Sequence, residues 1–194
     1  MNKSTIIGLV VVAIIGFWGI GKYNTMATAQ ENVEKSWGDV QSQYQRRADL
    51  IPNLVSTVKG YATHEASTLE AVVAARAKAT QITIDPTNAT PEQLEAYQKA
   101  QGELGQALGK LLAVTEAYPE LKANENFLQL QSQLEGTENR ITVARNKFNE
   151  EARDFNKIIV TFPNNLIASF GGFQKKAYFE ADPDAKSAPK VSFD

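Results

Sequence analysis

The amino-acid sequence predicts an all-α protein: an N-terminal transmembrane helix, then an elongated antiparallel three- or four-helix bundle with long coiled-coil-like helices. Three observations carry this expectation. Near the N-terminus stands a run of 18 residues without a charge. Behind it, apolar and large side chains recur at alternating steps of three and four, the seam of a helix that packs on other helices. Gly and Pro gather between the long stretches, whereas Ala, Gln, Glu, Leu and Lys, all good helix formers, fill them. No alternation of period two is present.

The uncharged run is STIIGLVVVAIIGFWGIG, bracketed by Lys3 and Lys22. As a helix it reaches about 27 Å, close to the roughly 30 Å hydrocarbon thickness of a bilayer. Trp18 and Tyr23 stand near its C-terminal end as interfacial anchors, because amphipathic rings favour the headgroup level, and the two lysines can snorkel. Residues 1–22 are therefore expected to form the anchor and residues 23–180 the bundle. Residues 181–194, rich in Pro and small residues and without period, read as an extended tail in which Phe193 is a candidate docking residue. A cleaved signal peptide competes with the anchor, since Ala27-Thr28-Ala29 has the A-x-A form. The motif lies inside the helical pattern that follows, which favours an uncleaved span. Lysines nearly balance across the run, so the charge rule hardly decides orientation; a short N-terminal tail kept inside puts the soluble part on the periplasmic side.

The first seam runs through Val33, Trp37, Val40, Tyr44, Arg47, Ile51, Leu54, Val58 and Tyr61. It predicts a helix from about Ala27 to Gln81, about 80 Å long if straight. Pro52 cannot donate to the carbonyl of Ala48, so a kink is expected there, with Gly60 a second soft point. Ile82 to Pro91 holds two prolines with Asp and Asn and reads as a loop. Thr90, Pro91 and Gln93 then form a helix start. Leu94, Tyr97, Gln101, Leu104, Leu108, Leu111, Thr115 and Tyr118 continue on one seam that closes before Pro119, with Gly102, Gly105 and Gly109 expected to permit close helix approach. The third helix starts at a cap, Asn124, and stops at Pro163. Its seam is Phe127, Leu130, Leu134, Thr137, Ile141, Ala144, Phe148, Glu151, Phe155, Ile158 and Phe162. Asn165 to Gly171 adds a short fourth helix.

Composition excludes several chemistries. Twenty Lys and Arg against 22 Asp and Glu give no basic field for nucleic acid. Without Cys there is no disulfide, thiolate nucleophile or zinc-thiolate site. The single histidine, His64, opens HEAST, which has Thr68 where a metalloprotease helix needs its second His. Neither a G-x-S-x-G turn nor a glycine-rich G-K-[ST] loop occurs. No catalytic residue, cofactor or metal is expected, and the chain does not read as an enzyme. The informative polar residues are Arg47, His64, Glu65, Glu138, Arg145 and Glu151, all candidates for structural roles. Burying a lone charge costs several kcal/mol, so Arg47 on its seam should pair with Glu138 or Glu151 and fix helix register. The alternative is a polar groove around Arg47, His64 and Glu138 that takes a peptide or a cell-wall fragment.

Four stretches, taken together, resemble the LemA family: Tyr23-Asn24, SWGDVQSQYQRRADLIPNLVSTVKGYATHE from Ser36, QLEGTENRITVARNKFNE from Gln133, and FNKIIVTFPNNLIASFGGF followed by YFE. The resemblance implies a single-pass protein of the bacterial inner membrane with an elongated helical bundle and no established enzymatic activity. Members are often encoded beside TPM-domain or HtpX-type protease proteins, and a magnetosome-associated relative exists. This implies a membrane-anchored scaffold or adaptor that self-associates or docks an envelope partner.

Overall fold

A computed structural model describes residues 2–62 and 64–180; the expected extended tail and Phe193 lie outside the described residues. The first helix, α1 (Lys3–Lys59), is a single element of 57 residues. Its first half exposes Ile7, Val12, Ile15, Phe17 and Ile20, and its second half buries a stripe that begins at Met26 and continues through Val33, Trp37, Val40 and Tyr44. The N-terminal part is long and apolar enough to cross a membrane. No break separates it from the bundle, and the Ala27-Thr28-Ala29 motif lies within the helix beside the fully buried Met26.

The expected helix to Gln81 is corrected by the structure. The chain leaves α1 at Gly60, and α2 (Ala66–Gln81) folds back along it. The guanidinium of Arg76 donates from Nε to the carbonyl of Ala48 at 2.7 Å, two groups that a straight helix would hold about 42 Å apart. The turn falls where helix propensity is weakest, at Gly60, and the stripe changes phase there: Tyr61 is exposed whereas Ala62 is fully buried. The helix itself runs through Pro52. The carbonyl that this proline leaves unpaired is that of Ala48, and Arg76 supplies the missing donor.

Helix α3 (Pro91–Thr115) begins with the expected reciprocal box, Thr90 accepting from the Gln93 backbone and Gln93 accepting from that of Thr90. Its buried residues are those of the predicted seam from Leu94 to Thr115, with Ala100 in addition. A Cβ at Gly102 or Gly109 would meet nothing within 4 Å, so neither serves close helix approach; only Gly105 has a neighbour, the Arg47 guanidinium at 3.9 Å. A one-turn helix, α4 (Pro119–Lys122), rounds the far end. Helix α5 (Glu125–Val160) starts at Asn124, whose side chain accepts from Phe127 N. Its stripe follows the predicted seam to Phe148, with Leu130 half-buried, then keeps Phe155 and takes in Ala152, Asn156 and Ile159, each one residue past a predicted position. A straight helix of 3.6 residues per turn drifts past a strict heptad by about 20° per repeat, and over this length the drift takes Glu151 off the core line, while Phe162 lies past the end of α5, exposed in the turn before the next helix. The short helix α6 (Asn164–Gly171) follows, ending at Gly172 in the left-handed conformation with φ 73°.

Helix α1 packs chiefly on α5, and α2 on α3, as an elongated bundle. Apolar side chains form two clusters, one from Met26 to Tyr44 with Tyr97, Phe148, Phe155 and Phe179, the other from Ile51 to Val58 with Leu69, Leu108, Phe127 and Leu134. Arg47 sits between them. Toward the apolar end of α1, where α2 no longer reaches, the Ile82–Thr90 loop and the extended segment after α6 cover the core.

Candidate functional site

Two polar constructions stand out within the bundle. The first is a layer built on Arg47, which is 3% exposed. Its Nη1 donates to Glu138 at 2.8 Å, and its Nη2 donates both to the backbone carbonyl of Gln101 at 3.0 Å and to Gln101 Oε1 at 2.7 Å. The Gln101 amide in turn donates to the carbonyl of Ala79. One guanidinium thereby ties α1, α3 and α5 directly, and α2 through Gln101. Its plane lies near the Tyr44 ring, 5.1 Å from the centroid, a favourable cation–π position. The expected register pair is thus Arg47 with Glu138; Glu151, half-buried one stripe away, takes no part. Beside this layer, Tyr44, Ala48, Ala79, Tyr97 and Gln101 line a pocket of 160 Å³. Burial raises the Tyr44 phenol against the opposing charges of Arg145 and Arg47, and burial likewise raises that of Tyr97.

The second construction is a clamp. Asn156 on α5 donates from its side-chain amide to the carbonyl of Lys176 at 2.9 Å and accepts from Lys176 N at 2.7 Å. Asn149 does the same for Phe179, at 2.9 Å and 2.8 Å. The two asparagines are seven residues apart on a helix, about 10.5 Å, and their partners three residues apart in an extended chain, about 10 Å. The spacings match, so the extended segment runs alongside α5 with its backbone read by side-chain amides. Arg145 and Gln98 donate to the carbonyl of Glu180. The Phe179 ring enters a pocket between Trp37 and Phe148, with the Arg145 guanidinium 4.8 Å above it. Lys176 is buried, its Nζ donating to the carbonyl of Thr87 at 2.6 Å and lying over the Phe155 ring; burial pushes its pKa down, against the pull of Glu34 and Asp85. Sequence reasoning missed this clamp. The seam places Asn156 one residue from its core line, and the buried Lys176 lies in a segment without period.

The remaining candidates are spread out. His64 is exposed in the turn between α1 and α2, far along the bundle from Arg47, so the expected groove of Arg47, His64 and Glu138 does not form. Glu65 accepts from Tyr118 Oη at 3.0 Å, which raises the Tyr118 phenol, and Asn124 donates to Tyr61 nearby; both tie the far end of the bundle. Trp18 and Tyr23 are partly exposed on the apolar half of α1, and the Tyr23 ring lies 5.3 Å from that of Phe173. Among the described residues no three His, Asp or Glu side chains gather as a metal site would require. The chemistry that the arrangement displays is holding: a charge shared among four helices, and a peptide backbone held by paired amides.

The family model described as LemA family matches residues 36–193. Magnetosome protein MamQ 2 of Paramagnetospirillum magneticum is 29% identical over 179 residues, covering 84% of this chain and 66% of its own length. Magnetosome protein MamQ of Magnetospirillum gryphiswaldense is 27% identical over the same shares. Protein LemA of Metamycoplasma hominis is 25% identical over 173 residues, 89% of this chain and 75% of its own. The chain spans about two thirds of the length of the magnetosome relatives, 66%.

Proposed function

The chain belongs to the LemA family, and we propose that it is a membrane-anchored scaffold or adaptor of the bacterial envelope that acts through protein contacts of its helical bundle rather than by catalysis. The observation that carries this reading is the continuity of α1. An apolar half long enough to span a bilayer passes without a break into the helix that builds the core, so anchor and bundle form one rigid body. The likeness to proteins named for the magnetosome supports a membrane-associated role. On this reading the protein is single-pass in the inner membrane with its bundle in the periplasm, and the anchor is retained, because cleavage after Ala29 would remove Met26 from the core. Its partner is a second copy or another envelope protein, with TPM-domain and HtpX-type protease proteins the first to test. Crosslinking in intact membranes followed by native sizing should give a species larger than one chain; a strictly monomeric rod with no co-purifying protein counts against the proposal.

One observation favours a second reading, a module for extended peptides: the Asn149 and Asn156 clamp already holds such a segment in cis. In a chain whose own segment is loosened by Phe179→Ala, a labelled peptide with the sequence of residues 173–180 should bind, and Asn149→Ala with Asn156→Ala should abolish that binding. Absence of binding to the loosened chain removes this reading.

A further inference from the structure

We propose that α6, with Phe162 ahead of it, is a second membrane contact, an interfacial foot lying in the bilayer leaflet from which α1 emerges. This rests on the reading of the N-terminal half of α1 as a membrane span. Three large apolar side chains here face outward: Phe162 is 76% exposed, Leu166 53% and Phe170 95%. Leu166 and Phe170 are four residues apart on α6 and share a face, while the buried Ala168 and half-buried Ile167 pack inward on the core. Such a contiguous exposed set on a folded surface marks an interaction site.

The position of α6 says what covers it. A Cβ at Gly171 would lie 3.1 Å from the Tyr23 ring, and Phe173, just beyond α6, packs on that same ring. Tyr23 stands two residues past the uncharged run, about 3 Å along the helix axis. The helix α6 therefore lies at the depth where the span reaches the headgroups.

Charge points the same way. The first carboxylate side chain in the sequence is that of Glu31, and none occurs between Asp154 and Glu180. Of the two stretches that meet at this end, one carries Lys22 and the other Lys157 and Lys175, whereas Lys176 is buried beside Glu34 and Asp85. Lys157 and Lys175 line one cleft with Arg153 and the exposed Val160. An apolar face whose own segments, α6 and its flanks from Phe155 to Phe179, carry lysines and no acid complements a leaflet of anionic headgroups. A second copy of the chain presents the same cations and would meet them with repulsion.

The chain has no cysteine, so single labels are clean. Full-length protein with Leu166→Cys, Phe170→Cys, Val12→Cys in the apolar half, or Leu128→Cys at the far end is labelled with a polarity-sensitive dye. Each is reconstituted into phosphatidylcholine and phosphatidylglycerol vesicles containing a spin-labelled lipid quencher. Dyes at 166, 170 and 12 should shift to the blue and lose emission, with 166 and 170 quenched best by a shallow spin label, while the dye at 128 emits as in water. Water-like emission at 166 and 170 with quenching at 12 overturns the foot and leaves the anchor standing. Water-like emission at 12 as well overturns both. Shielding of 166 and 170 that lipid quenchers do not see, and that grows with the ratio of protein to lipid, assigns the face to a second copy and overturns the foot.

Discussion

The charge of Arg47 is buried at 3% exposure, and its partner Glu138 keeps 47% of its side chain in solvent. The two ends of the pair are therefore not equivalent. Removing the arginine by Arg47→Ala leaves a cavity and the Gln101 Oε1 acceptor without its donor, and should destabilise the fold by about 2–4 kcal/mol. Arg47→Met keeps most of the volume and should cost less. Glu138→Gln keeps an acceptor for the guanidinium and should cost about 1–2 kcal/mol. Denaturant melts of the three variants check this order, and equal losses would show that the layer acts by packing alone. Arg47, Gln101 and Glu138 were legible in the sequence, the first two because a seam turns them inward and the third because a buried guanidinium demands an anion. Glu151 was misplaced because a heptad written on paper does not drift, whereas a real helix does. His64 sits in the turn between α1 and α2, and nothing in its sequence neighbours announced that place.

At the scale of elements, the pairing of Pro52 with Arg76 is the most testable feature. Arg76→Ala leaves the Ala48 carbonyl without its donor and should cost about 1–2 kcal/mol. Pro52→Ala restores the helical N–H for that carbonyl, so the double variant should recover most of the loss; strictly additive effects in the thermodynamic cycle would sink this account. Gly102 and Gly109 face open space inside α3. Gly102→Ala and Gly109→Ala should each stabilise by about 0.5–1 kcal/mol, read as a higher melting temperature, since Ala lacks the conformational cost of Gly in a helix. Helix starts at Thr90 and Asn124 were legible because caps are local chemistry. The hairpin between α1 and α2 was not, because the sequence on either side of Gly60 is helical and only tertiary burial decides which way the chain continues.

Across the whole molecule, burial sets the alkaline behaviour. In the folded protein Tyr44 and Tyr97 hold their protons beyond the ordinary phenol value of 10.0, so above that pH the unfolded chain binds fewer protons and stability falls. Lys176 works in the opposite sense: its lowered pKa makes the unfolded chain bind more protons as pH approaches 10.5, and the cost of burying its charge fades there. Once Lys176 is neutral in both states its contribution stops changing, while the tyrosines go on lowering stability. Melting temperature should therefore drop steeply in that range, and Tyr97→Phe should flatten the drop; an unchanged slope would assign alkaline unfolding to other groups. The all-helical bundle and the apolar N-terminal segment were evident from period and composition alone. The clamp that closes the fold with an extended strand was not, because amide side chains reading a backbone leave no period behind them.

An unbroken α1 also behaves as a drive shaft. Each residue added to an α-helix advances its phase by about 100° and its length by 1.5 Å. Inserting one alanine between Thr25 and Met26 would turn every face of the bundle by that angle relative to the segment ahead of it, whereas seven would nearly restore the phase. Any event that rotates the N-terminal half about its own axis thus acts on the bundle through the same helix that builds its core.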